Sequence, residues 1–454
     1  MNFVALKMLT GDRAKYLGLI FTMAFASRKK YSMPVEVVRS IDDRRQDQNS
    51  ATGCSPKKKR RRSPLAFLRE QSAMNWVALQ MLMGDRAKYL ALIFTIAFSS
   101  FLIAQQLSIF CRIMDRTRSQ LLDVRDADIW VMDPATQYFD EIYSLKDSDV
   151  DRVRSVPGVK WAVRFFKGQP RAKAADGRFR VAILLGVDDA SLAGAPEKSK
   201  MILGSVESLR DPDAVIIDLA GYHFFFPGQP LQLGKTFELN DHRAKVVGIV
   251  DASAPFTTFP IFYSRYSDAL NFVGQERKML SFVLVKADST VSLNELCGRI
   301  RAATGLQAMT SDQFGWMTIW YYIRNTGLPI NFGLTVAVAL IVGTVVAGQT
   351  FYIFTIENLK QFGALKAIGT TNVRIIGMIL LQALVVGVIG YAFGMGLTAS
   401  FFTVTERQEV TRGIFLLWEV LEITAAVDLL IVLVASFLSV RRVLVLEPAV
   451  VFRG

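Results

Sequence analysis

Apolar residues run almost without a break over about 89–113, 330–356, 375–404 and 423–440. A helix needs roughly 20 such residues to cross a hydrocarbon core, so each run reads as a membrane span. Ahead of the first, residues 74–88 place Trp76, Leu79, Leu82 and Met83 at helical spacing, with Asp85, Arg86 and Lys88 after them, the pattern of an interfacial helix on the cytoplasmic side. Residues 114–328 have another texture, with ordinary charge and Gly, Pro and Asp punctuation. Short β-rich runs at 180–185, 214–218, 244–250 and 281–286 alternate there with helical patterns at 147–155 and 293–303. Within that stretch, 231–251 alternates apolar and polar residues around Asn240 and Asp241, a hairpin signal. The fold class expected is an α-helical membrane protein with four transmembrane helices plus a large extracytoplasmic α+β domain, in two lobes, inserted between helices 1 and 2.

Charge sets the orientation. Arg86 and Lys88, then Lys360, Lys366 and Arg374, then Arg441 and Arg442 flank the spans on one side, which the positive-inside rule makes cytoplasmic, together with both termini and the 441–454 tail. Arg112, Arg116 and Arg118 lie at the opposite end, but they lead into a large domain, and large domains translocate with little regard for charge. The formal net charge of +13 suggests nucleic acid until it is located. Residues 1–73 carry 16 Lys/Arg against 6 Asp/Glu, leaving 37 against 34 for the rest, so no nucleic-acid partner is expected and membrane lipid is.

Those first 73 residues also contain a near-copy of a later stretch. MNFVALKMLTGDRAKYLGLIFTMAFAS at 1–27 returns at 74–100 with 21 of the 27 positions identical, and the first copy breaks off into a basic linker with KKKRRR at 57–62. The expectation is a non-functional duplicated start joined to a disordered linker, with Met74 opening the working protein.

Candidate chemistry is sparse. Cys54, Cys111 and Cys297 and the two histidines, His223 and His242, stand at no metal-ligand or disulfide-framework spacing, so no metal site is expected. His223, within an apolar GYHFFF run, reads as a packed side chain rather than a base. GQPLQLGKT at 228–236 imitates a phosphate loop, but it has one residue too many between its glycines and runs into a β-hairpin rather than a helix. No catalytic residues are expected. Inside the spans the polar candidates are Gln105, Gln106, Gln349 and Asp428, an intramembrane carboxylate being costly and therefore a functional candidate. Glycines at 343, 348, 387, 390, 394 and 396 point to close helix packing.

The remaining feature is 357–373, between spans two and three. In ENLKQFGALKAIG, Leu359, Phe362, Leu365 and Ile368 share a broad apolar face, Glu357, Lys360 and Lys366 offer charge, and Gly369 can stop the helix. An ordinary surface loop and a docking helix for an outside partner both fit this composition.

That segment, the order of one span, a large domain and three spans, the terminal LEPAVVFR at 446–453 and the 231–251 hairpin together resemble the FtsX/MacB-like family of ABC transporter permeases, with a DevC-like exporter subgroup in view. The resemblance implies a homodimeric, non-catalytic permease of a bacterial inner membrane, with no cofactor of its own and ATP and Mg on two copies of a separate ATPase. It also implies a MacB-like periplasmic domain, and in some subgroups an HlyD-like periplasmic adaptor and an outer-membrane channel. By the same resemblance Glu357, Lys360, Phe362, Gly363, Leu365, Lys366 and Gly369 form the ATPase-coupling loop. The function implied is export by mechanical transmission. The rival is an FtsX-like scaffold that regulates a periplasmic partner such as a cell-wall hydrolase.

Overall fold

A computed structural model describes residues 76–444 apart from 83, 85, 175, 274–278 and 407–412. The duplicated start, the basic linker, residues 74–75 and the terminal 445–454 lie outside the described residues. Six helices bear on function: α1 (Arg86–Thr117), α2 (Ser311–Asn325), α3 (Leu328–Glu357), α4 (Leu359–Ala367), α5 (Asn372–Thr405) and α6 (Trp418–Leu444). Among the described residues, α1, α3, α5 and the Trp418–Phe437 part of α6 are long and apolar enough to cross a membrane. Contacts divide the described residues into two compact units, one of 76–94, Gly348–Ala392 and 432–444, the other of Thr95–Ala347 and Phe393–Ile431.

The second unit contains a mixed sheet of twelve strands: β1 (Ile129–Met132), β2 (Val159–Gly168), β3 (Arg171–Lys173), β4 (Phe179–Val181), β5 (Ile183–Val187), β6 (Met201–Gly204), β7 (Ala214–Asp218), β8 (Thr236–Leu239), β9 (His242–Val250), β10 (Ile261–Arg265), β11 (Phe282–Ala287) and β12 (Gln307–Thr310). Their order is β12-β1-β11-β2-β5-β10-β7-β9-β8-β3-β4, with β6 on β9. Strand β2 changes partner along its length, pairing with β11 up to Phe165 and with β5 from Phe166. Side chains alternate between two cores, as the two-residue period of a strand requires. Ile129, Val131, Leu184, Val215 and Ile217 enter one core; Trp130, Met132, Ile183, Leu185 and Ile216 enter the other. Burial on both faces is why these strands read in sequence as unbroken apolar runs such as IWVM and ILLGV.

The hairpin signal has a direct structural counterpart. Asn240 and Asp241 take φ of 43° and 66°, and Leu239 pairs with His242, the two-residue turn whose twist suits antiparallel strands. Asn240 is held there by its side chain, which donates to Phe272 O (2.8 Å) and accepts from Arg171 N (2.9 Å).

Candidate functional site

The 357–373 segment is built by three local choices. Helix α3 ends at Glu357, and Asn358 turns its side chain back to donate to Phe354 O at 2.8 Å. Helix α4 then runs to Ala367 and stops in a left-handed residue, Gly369, at φ +97°. The Gly369 N–H reaches Lys366 O (3.0 Å) and the Thr370 N–H reaches Leu365 O (3.1 Å), the paired bonds of a Schellman stop that satisfy the last carbonyls. The chain then re-enters a helix at Asn372 as α5.

The residues expected to act together here separate into two groups. Phe362 is 1% exposed and packs with Ile375, Ile379 and Val440, while Met81, Leu365 and Ile376 close in around it. Gly363 is buried too. Glu357 forms an ion pair with Lys88 at the start of α1, and Gln382 of α5 donates to Ala78 O at 2.6 Å, so α4 rests on a braced platform. The broad apolar face expected of Leu359, Phe362, Leu365 and Ile368 is thus split by the tertiary fold. Phe362 points into the chain; Ile368, at 84% exposure, points out, beside Val373 at 77%. Lys360 and Gly369 are exposed, and Lys366 and Leu365 are half-buried. Sequence reasoning passed over Val373; the signal was a β-branched apolar residue directly after the polar Thr371-Asn372 start of α5.

Of the intramembrane polar candidates, Asp428 is 3% exposed and its Oδ2 lies 2.5 Å from the hydroxyl of Ser100, which is also 2.7 Å from Ile96 O. Gln105 and Gln106 are half-buried on α1, and Gln349 is exposed on α3. Ser100 carries no signal in the sequence because serine is common in spans. Its neighbourhood is tight: a Cβ at Gly394 would come 2.5 Å from Ser100 Cβ and 2.6 Å from Ala97 O, and one at Gly343 would meet Ser99 Oγ at 2.2 Å. These glycines let α5 and α3 approach α1.

In the sheet unit, a buried network links β2 to α2. The Lys167 ammonium, on a side chain 1% exposed, donates to Asp140 Oδ1 (2.5 Å) and Phe139 O (3.2 Å) and lies 3.5 Å from the Phe139 ring centroid. Tyr322 of α2 donates its hydroxyl to the other oxygen, Asp140 Oδ2, at 3.1 Å, and Phe139 N donates to Thr318 Oγ1 at 3.2 Å. Tyr138 stacks on Tyr321 with centroids 4.0 Å apart. Burial lowers the Lys167 pKa, with Asp140 opposing, while burial first and Asp140 second raise that of Tyr322. No sequence spacing could have joined residues 140, 167 and 322.

The look-alikes resolve plainly. Gly228 and Gly234 are turn residues at φ +70° and +82°, and Lys235 bonds to Gln229 just before β8. His223 departs from the expectation of a packed side chain: it is exposed, because the short helix Leu219–Phe225 turns Gly221, Tyr222 and Phe225 inward. Cys111 and Cys297 are free thiols.

Residues 93–303 match the family model of the MacB-like periplasmic core domain, and residues 333–448 that of the FtsX-like permease C-terminal region. An uncharacterised ABC transporter permease of Mycobacterium tuberculosis (strain ATCC 25618 / H37Rv) is 28% identical over 227 residues, covering 49% of this chain and 58% of that protein. A Staphylococcus haemolyticus (strain JCSC1435) protein named as the permease HrtB of a hemin transport system is 24% identical over 228 residues, 49% of this chain and 59% of its own length. The chain therefore spans somewhat over half the length of these curated relatives. The periplasmic region of MacB from Actinobacillus actinomycetemcomitans is a structural neighbour at 20% identity and a TM-score of 0.32, covering 45% of this chain and 96% of that one. One match runs along the sheet domain and the other along the apolar helices on both sides of α4, and together they make this chain a member of the FtsX/MacB-like family of ABC transporter permeases.

Proposed function

We propose that this chain is the non-catalytic permease subunit of an export complex, working as a homodimer in a bacterial inner membrane with both termini cytoplasmic. Two copies of a separate ATPase supply the force. The observation that carries this reading is the braced ledge of α4: Phe362 anchors it from below, the Lys88–Glu357 pair ties its start to α1, and Lys360, Ile368 and Val373 remain exposed for a partner. A ledge held this way moves with the helices it joins, so a push on Ile368 is passed to α3 and α5 rather than absorbed by the loop. The other end of α3 is entered from α2, whose Tyr322 and Thr318 grip the 138–140 loop and so the sheet domain. The membrane helices carry force, and the domain between α1 and α3 acts on the cargo from outside.

The test is capture of the ATPase. Full-length protein would be co-expressed with candidate ABC ATPases and purified through its own tag. Ile368→Asp places a charge on the exposed apolar contact without touching the buried side of α4, so it is expected to insert normally and lose the ATPase. Undiminished capture by this variant would remove the docking role from α4. An ATPase that binds but drives no cargo, while a cell-wall hydrolase responds, would favour the regulatory alternative.

A further inference from the structure

Aromatic rings and guanidinium groups recur together at the domain-side ends of the apolar helices. Trp316, Trp320 and Arg324 succeed one another at four-residue intervals along α2, with the two indoles 53% and 51% exposed. Arg324 lies 5.3 Å from the Trp320 ring, Arg118 lies 5.1 Å from that of Trp316, and Arg112 lies 3.5 Å from that of Phe415, which is 49% exposed. The other face of α2 is closed by Phe314, Ile319 and Tyr322, the last two packing with Met114 of α1. So the tryptophan stripe faces away from the core, beside the end of a membrane helix.

Charge and depth both indicate what covers it. Arg112 and Arg118 share one carboxylate, Asp115, at 3.6 and 3.0 Å. Two guanidiniums on this one carboxylate leave positive charge at this end of α1, which suits a phosphate. The level is also right. At 1.5 Å per residue the 32 residues of α1 span about 48 Å, against a hydrocarbon core of about 30 Å and several more ångströms of headgroup on each side. With Lys88 at one interface, Arg112, about 36 Å further along the helix, falls in the headgroup layer of the other, and Arg118 follows just past the end of α1.

We propose that Arg112, Arg118, Trp316, Trp320 and Arg324 form a docking band for anionic phospholipid headgroups on the domain-side leaflet. The guanidiniums bind lipid phosphate through paired N–H donors, and the indoles sit in the layer between phosphate and acyl chain, where tryptophan concentrates. Such a band fixes α2 to the membrane surface and makes it the pivot between α3 and the sheet domain. This rests on the reading that the apolar helices cross a bilayer.

The test uses the full chain in nanodiscs of phosphatidylglycerol carrying bromine high on the acyl chains. The difference in emission between wild type and Trp316→Phe/Trp320→Phe isolates these two indoles. Bromine is expected to quench that difference signal, and less so in Arg118→Gln/Arg324→Gln or in phosphatidylcholine. Val342→Trp, midway along α3 and 50% exposed, should be quenched by bromine at the bilayer centre and reports insertion independently. With that control quenched, a difference signal untouched by shallow bromine would overturn the band while leaving the spans intact. A Trp316→Cys variant that cross-links to a second copy in the same discs would overturn it too, assigning the stripe to a contact between copies.

Discussion

Phe362 and Ile368 lie six residues apart on the same segment and are both large and apolar, yet the structure assigns them opposite tasks. Phe362→Ala empties a site that is 1% exposed and walled by Ile375, Ile379 and Val440. Truncating a buried phenylalanine costs about 3–5 kcal/mol from lost transfer energy and the residual cavity. At 1.4 kcal/mol per decade, that raises the local opening equilibrium of α4 by roughly two decades or more. Ile368→Ala removes a side chain that is 84% exposed, so its effect on stability should stay within about 0.5 kcal/mol. Its effect on ATPase capture should be larger, on the order of tenfold if Ile368 is a contact anchor. Hydrogen exchange of the α4 amides in micelles reads the first quantity, and a capture titration reads the second. Phe362→Ala is expected to speed exchange through α4, with weakened capture as a consequence; Ile368→Ala should weaken capture with exchange unchanged. Unchanged α4 exchange in Phe362→Ala would refute the anchoring argument, and full capture by Ile368→Ala would refute the docking one.

Substitutions at three glycines and one tyrosine have equally definite outcomes. Gly369→Ala has free space for its Cβ but a left-handed backbone, so it should cost about 1–2 kcal/mol and loosen the end of α4, seen as faster exchange at Thr370. Gly394→Leu would drive a side chain into Ala97 O and Ser100, costing about 1–3 kcal/mol or more in detergent unfolding, whereas the control Gly396→Leu, with nothing within 4 Å, should be nearly silent. The Tyr322 pKa is raised above its ordinary 10.0, so its contribution is complete below pH 10 and lost as pH climbs through the folded value. Tyr322→Phe should therefore flatten the alkaline limb of stability against pH, measured as the difference between the two proteins, in which the opposing influence of Lys167 is common to both.

Features that depend on neighbours in sequence were legible before any coordinates. A span needs only enough consecutive apolar residues, a hairpin needs Asn240-Asp241 between alternating strands, and the end of α4 needs a glycine after its last turn. Each is a local property, decided within a few residues by sterics, backbone hydrogen bonds and the cost of polar groups in hydrocarbon. Other features depend on which distant residues meet. Ser100 reaches Asp428 across 328 positions, and Asp140 collects Lys167 and Tyr322 from two separate elements. Helical periodicity placed Phe362 and Ile368 on one broad face, but only the packing of α5 and α6 against that face buried one and left the other in the open. Trp316 and Trp320 look like ordinary core aromatics until the other side of α2 is seen to be occupied by Met114 and the sheet. Hydrophobicity marks which side chains seek cover; the fold, through finite room in its interior, settles which of them obtain it from the chain itself and which must find it in the membrane or a partner.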